Sequence, residues 1–129
     1  MKKSILIIDD KDFVREDLKY MIKRKYQDAV EISEAVSGNK AIAKMKEATP
    51  DLVITDWEMT DGNGALVCAF CQQRNINVII CAGYYEPAVA KLGIPLVIKP
   101  YLKNVLPCIE TYFKEEKDEE NTKIEMHIF

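Results

Sequence analysis

Four short apolar runs constrain the fold of this chain more than any other feature. Each is three or four residues long and is followed at once by polar or turn-forming residues. Such runs are typical of strands buried on both faces of a parallel sheet. The runs are Ile5–Ile8, Leu52–Ile54, Val78–Ile80 and Leu96–Ile98. Apolar residues at helical spacing lie between them, so the sequence predicts alternating strands and helices, with helices covering both faces of a parallel sheet.

The predicted elements have definite limits. The strands are expected at Ser4–Ile8, Ala29–Ala35, Leu52–Thr55, Asn77–Ile80 and Leu96–Ile98. The second strand alternates weakly, which is typical of a sheet edge. The first helix is expected to follow Asp12 as its N-cap, the second to start near Asn39 and the fifth at Lys103 or Asn104.

The third helix is expected after the loop Glu58–Gly64, with Leu66, Ala69 and Phe70 facing inward. The stretch between Gly83 and Gly93 leaves room for only a short fourth helix, around Pro87–Lys91.

Composition limits the classes of function. A chain of 129 residues, 48% apolar and 30% charged, is ordinary for one globular domain. The net charge of −3 and the scattered basic residues give no reason to expect nucleic-acid binding. No apolar stretch reaches the length of a membrane span, and Met1-Lys2-Lys3-Ser4 leads directly into a strand. A cytoplasmic protein without membrane contact is therefore expected.

Cys68 and Cys71 have the C-x-x-C spacing of redox and zinc sites. They lie within a predicted helix, however, and the sequence offers no second such pair. His127, its only histidine, is distant in sequence. The pattern favours two structural thiols over a redox or metal site.

Residues able to do chemistry follow four of the strands: Asp9-Asp10, Asp56, Cys81 and Lys99-Pro100. Because the carboxyl ends of parallel strands share one edge of a sheet, these side chains are expected to converge. Asp56, at the end of the central strand, can attack phosphorus as a nucleophile. Mg²⁺ bridging Asp56 and an anionic phosphoryl group would offset their repulsion, with Asp9 and Asp10 as its other protein ligands.

Each of these residues also has a simpler interpretation. Asp9-Asp10 could cap the following helix, although capping does not need two carboxylates. Lys99 is expected to pair with Asp56, but it could also form a surface salt bridge. Pro100 indicates a shaped turn and is a candidate for a cis peptide bond.

Together these residues resemble the receiver domain of two-component response regulators over roughly residues 3–117. The resemblance rests on Asp9-Asp10, on Asp56 followed by Met59 and Gly64, on Ala82 and on Lys99-Pro100-Tyr101. It implies a flavodoxin-like α/β fold, a three-layer (βα)5 sandwich whose five-stranded parallel sheet has the order 2-1-3-4-5.

The resemblance also implies a site and partners. Asp56 would accept a phosphoryl group from a sensor histidine kinase or a phosphotransfer protein. Mg²⁺ would be held by Asp10, Asp56 and the backbone carbonyl of Glu58, with Asp9 acting through water. The chain would signal to an unidentified downstream protein as a monomer or weak homodimer. It would not be an enzyme beyond phosphorylating and dephosphorylating itself.

The sequence departs from the family at positions that transmit the signal. Cys81 stands where the family usually has a Ser or Thr that binds a phosphoryl oxygen, and a thiol is a weaker donor. Leu96 replaces an aromatic switch residue, Thr60 replaces a proline, and the segment from the fourth strand to the fifth is short. We therefore expect intact phosphorylation chemistry with altered coupling.

Two other functions remain open at this point. One is a pseudo-receiver that binds partners without phosphorylation, which Cys81 and Leu96 favour. The other is a phosphatase of the haloacid-dehalogenase type, because Asp10-Lys11-Asp12-Phe13-Val14 matches its D-x-D-x-[TV] motif. That enzyme needs a further acidic pair after its lysine, and Glu110 is the first acidic residue after Lys99.

The expected domain division is a receiver at residues 1–117 and a charged and apolar tail at residues 118–129. The tail is expected to be a disordered terminus, with a docked strand as the alternative. A stand-alone receiver and a receiver cut from a longer protein both fit the sequence.

Overall fold

The computed structural model describes residues 2–114, and within them five strands form one parallel sheet. The strands are β1 (Lys3–Ile8), β2 (Val30–Ala35), β3 (Leu52–Asp56), β4 (Asn77–Ala82) and β5 (Leu96–Ile98). Their order in the sheet is β2-β1-β3-β4-β5. The predicted fold class and strand order are confirmed, and β2 lies at an edge.

The helices lie on both faces of this sheet. They are α1 (Asp12–Tyr26), α2 (Gly38–Glu47), α3 (Gly64–Gln73), α4 (Pro87–Leu92) and α5, which begins at Val105 and is described as far as residue 114. The fourth helix is as short as predicted. No helix among the described residues is long and apolar enough to span a membrane.

Two apolar cores share the sheet because successive side chains of a strand point to opposite faces. Ile5 and Ile7 of β1 pack with α1 and α5, whereas Leu6 and Ile8 pack with α2, α3 and α4. The strands β1 and β3 lie between these layers, and residues 52–56 are all buried. This double burial explains why their sequences are runs of apolar residues rather than alternating ones.

Two strands extend further at their carboxyl ends than the sequence predicts. β3 continues through Asp56 and β4 through Ala82, so that Asp56 and Cys81 are paired neighbours inside the sheet. Asp56 and Cys81 end the runs of apolar residues, but the pairing of the strands continues through them. The backbones of Asp56 and Cys81 are consequently fixed by the pairing of the strands rather than lying in loops.

Asp12 is not the N-cap of α1, which corrects the prediction. The helix begins at Asp12 itself, and Lys11 before it has an extended backbone without a side-chain cap. The N–H of Lys11 instead donates to Asp9 Oδ1 at 2.9 Å. An aspartate that accepts from the backbone two residues later forms an Asx turn, so part of the acidic pair does shape the entry to the helix.

The predicted inward face of α3 is right only for Phe70, which is half-buried and packs against the core. Val67, Cys68 and Cys71 are buried, whereas Leu66 is 44% exposed and Ala69 is exposed. The helix is apolar on nearly every side, so its periodicity does not select a face. At the start of the helix, the N–H of Gly64 donates to the carbonyl of Trp57 at 2.7 Å.

Both thiols of the C-x-x-C motif therefore face the core. Burial raises the pKa of Cys68 to about 11 and that of Cys71 to about 12. The Sγ of Cys71 lies 3.9 Å from the sulfur of Met45 on α2.

Only part of the predicted C-terminal region lies within the described residues. α5 begins at Val105 after a 3-10 turn at Leu102–Asn104, one residue later than the latest predicted start, and Pro107 lies in its first turn. The predicted end of the receiver at residue 117 and the tail at residues 118–129 lie outside the described residues.

Candidate acidic site at the carboxyl edge of the sheet

Three carboxylates meet at the carboxyl edge of the sheet. Asp9 and Asp10 directly follow β1, and Asp56 is the last residue of the neighbouring strand β3. One ligand oxygen from each of the three lies within 4.8 Å of the others. Asp9 and Asp56 are buried, whereas Asp10 is exposed. The cluster therefore has a buried base and one carboxylate that reaches solvent.

Asp9 is the most tightly held member of the cluster. Its Oδ1 accepts from the N–H of Lys11, and its Oδ2 accepts from Lys99 Nζ at 2.8 Å. Its backbone carbonyl accepts from Arg15 Nη1 at 2.7 Å. With both side-chain oxygens engaged, Asp9 suits a supporting role better than direct attack on a substrate.

Asp56 has fewer contacts. The N–H of Trp57 donates to Oδ1 at 2.8 Å, and Lys99 Nζ lies 3.4 Å from the same oxygen. Both of these contacts are made through Oδ1. Burial raises the pKa of Asp56, the nearby charge of Asp9 raises it further, and the contacts with Lys99 and Trp57 only partly oppose this rise.

Lys99 lies between the two buried carboxylates and is closer to Asp9 than to Asp56. The sequence had suggested Asp56 as its partner. The difference arises because Asp9 and Asp56 come from adjacent strands, and one ammonium group bridges both. Burial acts to lower the pKa of Lys99, but the hydrogen bonds and charges of the two aspartates outweigh it, so the pKa is raised. The peptide bond from Lys99 to Pro100 is cis.

Cys81 is placed beside the acidic cluster, opposite Asp56 in the pairing of β3 with β4. Its side chain belongs to the core under α1 and α5 and is 1% exposed. Burial raises the pKa of its thiol to about 12, with a smaller opposing effect from Lys99. The group is consequently a neutral thiol at physiological pH.

An open cavity of about 450 Å³ lies over Asp56. Its polar wall includes Asp56, Glu58 and Lys99, and its apolar wall includes Phe13 and Trp57. The cavity is much larger than one metal ion, so a group carried by a second molecule could enter it.

Two residues near the site were missed in the sequence. The hydroxyl of Tyr84, just after β4, donates to Glu58 Oε1, and both side chains line the cavity. Arg15, in the first turns of α1, holds the carbonyl of Asp9 and pairs with Glu34 of β2. Neither residue belongs to a local motif. The sequence signals them only by position, since Tyr84 follows the end of a strand and Arg15 follows the acidic pair.

The donor set fits a hard divalent cation. Carboxylate oxygens are the preferred ligands of Mg²⁺, and three of them converge here. Burial is the main cause of the raised pKa of Asp56 and the charge of Asp9 adds to it, so a cation bound beside these carboxylates would favour their ionised forms.

Comparison with known proteins decides the family. The family model of the response regulator receiver domain matches residues 5–103. The chain is also 34% identical over 109 residues to the chemotaxis protein CheY of Thermotoga maritima, with 78% of this chain and 88% of that protein covered. The chain belongs to the receiver-domain family of response regulators. Receivers generally bind Mg²⁺ at an acidic pocket and interact with histidine kinases or phosphotransfer proteins.

Other similar proteins are longer or more distant. The sensory transduction protein LytT of Bacillus cereus is 23% identical over 129 residues, covering 95% of this chain but 52% of LytT. The receiver thus spans about half the length of that relative. A CheY-like receiver structure from Methanospirillum hungatei superposes with a TM-score of 0.79 at 21% identity, covering 92% of this chain and 99% of that one. This likeness shows the shared fold.

Proposed function

We propose that Asp56 accepts a phosphoryl group from a sensor histidine kinase or a phosphotransfer protein in a Mg²⁺-dependent reaction in the cytoplasm. The phosphorylated chain then signals by binding a downstream protein. The observation that carries this proposal is the convergence of Asp9, Asp10 and Asp56 with Lys99 at one edge of the sheet. Family membership supports the general kind of function.

Each residue of the site has a separate role in this reaction. Asp56 Oδ2 attacks phosphorus, a P–O bond forms, and the P–N bond to the donor histidine breaks, with the electron pair leaving on the imidazole nitrogen. Bound Mg²⁺ supplies charge neutralisation, and Asp10, Asp56 and the carbonyl of Glu58 would hold it, with Asp9 acting through water. Lys99 can exchange its contact with Asp56 for one with a phosphoryl oxygen.

Two features are expected to weaken the response to phosphorylation. The thiol of Cys81 is a poor hydrogen-bond donor for a phosphoryl oxygen. Leu96 on β5 is half-buried and packs against the core rather than presenting an aromatic ring. These features favour a pseudo-receiver as the second candidate function, one that binds its partner without depending on phosphate.

The phosphatase interpretation receives no support from the site. Glu110, the first acidic residue after Lys99, forms an ion pair with Lys25 of α1. The chain's own family and strand order provide a different role for the acidic pair.

The decisive experiment is the intact mass of the protein after incubation with acetyl phosphate, with and without Mg²⁺. We expect one phosphoryl adduct that requires Mg²⁺ and is absent from Asp56→Asn. A matched variant, Asp51→Asn, removes a carboxylate that binds Ser4 outside the site and should still be labelled. No adduct on the native chain, under conditions that label an ordinary receiver, would favour the pseudo-receiver.

A further inference from the structure

The β3–α3 loop, residues 57–63, lies against the start of α2. The N–H of Gly38 donates to the carbonyl of Gly62, and the N–H of Asn39 donates to the carbonyl of Asp61, each at 3.0 Å. The first N–H groups of a helix have no partner within the helix, and here the loop supplies two of them. A Cβ on Gly62 would lie 2.7 Å from the backbone nitrogen of Asn39, so the two segments are in close contact.

The carboxylate of Asp61 reinforces this contact with both of its oxygens. Oδ1 accepts from the side-chain amide of Asn39 and Oδ2 accepts from the hydroxyl of Ser37, each at 2.8 Å. Ser37 is the N-cap of α2, and its 4% exposed side chain also accepts from the N–H of Lys40 at 3.1 Å. The hydrogen bond from Asn39, followed by that from Ser37, lowers the pKa of Asp61, so the carboxylate stays ionised at physiological pH.

The same segment of the chain also reaches the other half of the acidic site. Ala35, the last residue of β2, accepts from the N–H of Asp9 at 3.2 Å. Ser37 follows two residues later. Residues 35–39 are thus bonded on one side to the first acidic loop and on the other side to the β3–α3 loop.

Glu58 lies in the β3–α3 loop between points that are held. Before it, the carbonyl of Trp57 accepts from the N–H of Gly64 at 2.7 Å. After it, Met59 is buried and Asp61 binds the start of α2. Glu58 itself is exposed, so the position of its backbone depends on how its neighbours in the loop are held. Its carbonyl is the backbone ligand that the proposed function assigns to Mg²⁺.

We propose that Asp61 is a positioning residue whose carboxylate holds the β3–α3 loop against the start of α2, which sets the position of the Glu58 carbonyl relative to Asp9 and Asp10 and raises the affinity of the site for Mg²⁺. This inference rests on the Mg²⁺ site of the proposed function. Asp61 lies outside the carboxylate cluster, takes no part in bond changes and acts only through the loop.

The first test compares the Mg²⁺ affinities of Asp61→Ala and Asp28→Ala by titration calorimetry. Asp28 is a matched control, because it is an exposed aspartate in the turn before β2, at the opposite edge of the sheet. Loss of two hydrogen bonds that orient a ligand-bearing loop is expected to weaken binding by about three- to tenfold in Asp61→Ala. Native affinity is expected for Asp28→Ala. Equal affinities in the two variants would overturn the proposal.

The second test separates the hydrogen bonds of Asp61 from its charge. In Asp61→Asn, the amide oxygen can still accept from Asn39 and the amide nitrogen can donate to the hydroxyl of Ser37. Because the lost charge is exposed and screened by solvent, we expect an affinity within about twofold of the native value. A loss as large as that in Asp61→Ala would show that the charge acts on the ion directly and would overturn the proposal.

Two further measurements distinguish positioning from a merely structural role. A structural role would lower the urea midpoint of metal-free Asp61→Ala but leave the Mg²⁺ affinity of the folded protein native, which would overturn the proposal. Asn39→Ala removes one partner of the carboxylate and should weaken binding less than Asp61→Ala. Adding it to Asp61→Ala should cause no further loss, and full additivity would contradict the proposal.

Labelling by acetyl phosphate separates the role of Asp61 from the proposed function. Calorimetry needs no phosphoryl donor, so the affinities still decide the role of Asp61 if the native chain is not labelled and the proposed function fails. If the native chain is labelled while Asp61→Ala binds Mg²⁺ as the native chain does, the proposed function stands and the role of Asp61 is overturned. A native chain that binds no Mg²⁺ would also overturn that role.

Discussion

At the scale of single residues, the site is a balance between buried charges of like and opposite sign. Asp9 and Asp56 are 1% and 5% exposed, and Lys99 is the ammonium group that bridges them. Burial of two carboxylates against one cation leaves Asp56 with a raised pKa. The arrangement is unfavourable for folding without a metal ion, which is characteristic of a site prepared for one.

Asp56→Asn is therefore expected to stabilise the metal-free protein. A carboxyl group whose pKa is raised on folding stabilises the folded state below its unfolded pKa, and this contribution is lost as the pH rises through the folded pKa. At pH 7 the ionised carboxylate of Asp56 thus destabilises the folded state, and asparagine removes this effect. We expect the free energy of unfolding to rise by about 1 kcal/mol or more.

Urea denaturation with and without Mg²⁺ measures this effect. The gain should shrink when the pH approaches the range of carboxyl titration and when Mg²⁺ is added. A variant less stable than the native chain at pH 7 without metal would contradict this account of the site.

At the scale of elements, α1 and β2 together support the loop that carries the acidic pair. Arg15 of α1 has an 11% exposed side chain, donates to the carbonyl of Asp9 and pairs with Glu34 of β2 at 3.3 Å. Lys19, one turn further along α1, binds the other oxygen of Glu34 at 3.0 Å. The edge strand consequently helps to support the loop that carries Asp9 and Asp10.

Arg15→Gln is expected to weaken Mg²⁺ binding, because the backbone of Asp9 loses its anchor. Outer supports of metal ligands are commonly worth about tenfold or more in affinity, and we expect a loss of about tenfold here. Titration calorimetry with Mg²⁺ measures it. Arg24→Gln is the matched control, since Arg24 lies on the same helix and contacts the hydroxyl of Tyr20. Equal affinity in the two variants would remove Arg15 from the support of the site.

The start of α3 similarly supports the loop that follows Asp56. A Cβ on Gly64 would lie 2.5 Å from the carbonyl oxygen of Asp56 and 2.7 Å from the Cα of Trp57, both of them backbone atoms. Gly64→Ala should therefore destabilise the fold by about 1–3 kcal/mol. Gly83→Ala is the control, because its Cβ would enter open space. A thermal melt of both variants checks the difference, and two similar midpoints would argue against the close approach at Gly64.

At the scale of the whole molecule, the two cores are joined by the strands that they share. β1 and β3 contribute alternate side chains to each core, so neither core is complete when the sheet is disrupted. The acidic site lies at the edge of the same strands. Its geometry is consequently coupled to the integrity of both layers of helices.

We therefore expect one cooperative unfolding transition. Trp57 packs against the core formed with α2, α3 and α4, and its fluorescence reports on that side, whereas far-UV circular dichroism reports on all of the helices. The two signals should give the same midpoint in urea. Separate midpoints would show that one layer unfolds independently of the other.

Much of the fold was predictable because its signals are local. Apolar runs mark the buried strands, and the shortness of the segment after Gly83 limits α4. The boundaries were less accurate at Asp56 and Cys81, where a polar residue ends the apolar pattern but the strand continues. The face of α3 was mispredicted at Leu66 and Ala69 because the helix is apolar on nearly every side, so the spacing of apolar residues does not select one face.

By itself, the sequence determined the alternating architecture and the placement of Asp9, Asp10, Asp56 and Lys99 at the ends of strands, because both follow from the order of apolar and polar residues. The tertiary structure decided the contacts among side chains from different elements. These include the closer approach of Lys99 to Asp9, the anchoring of Asp9 by Arg15, and the bond from Tyr84 to Glu58. Such contacts join residues that are far apart in sequence, and their distances depend on how strands and helices pack rather than on any local pattern.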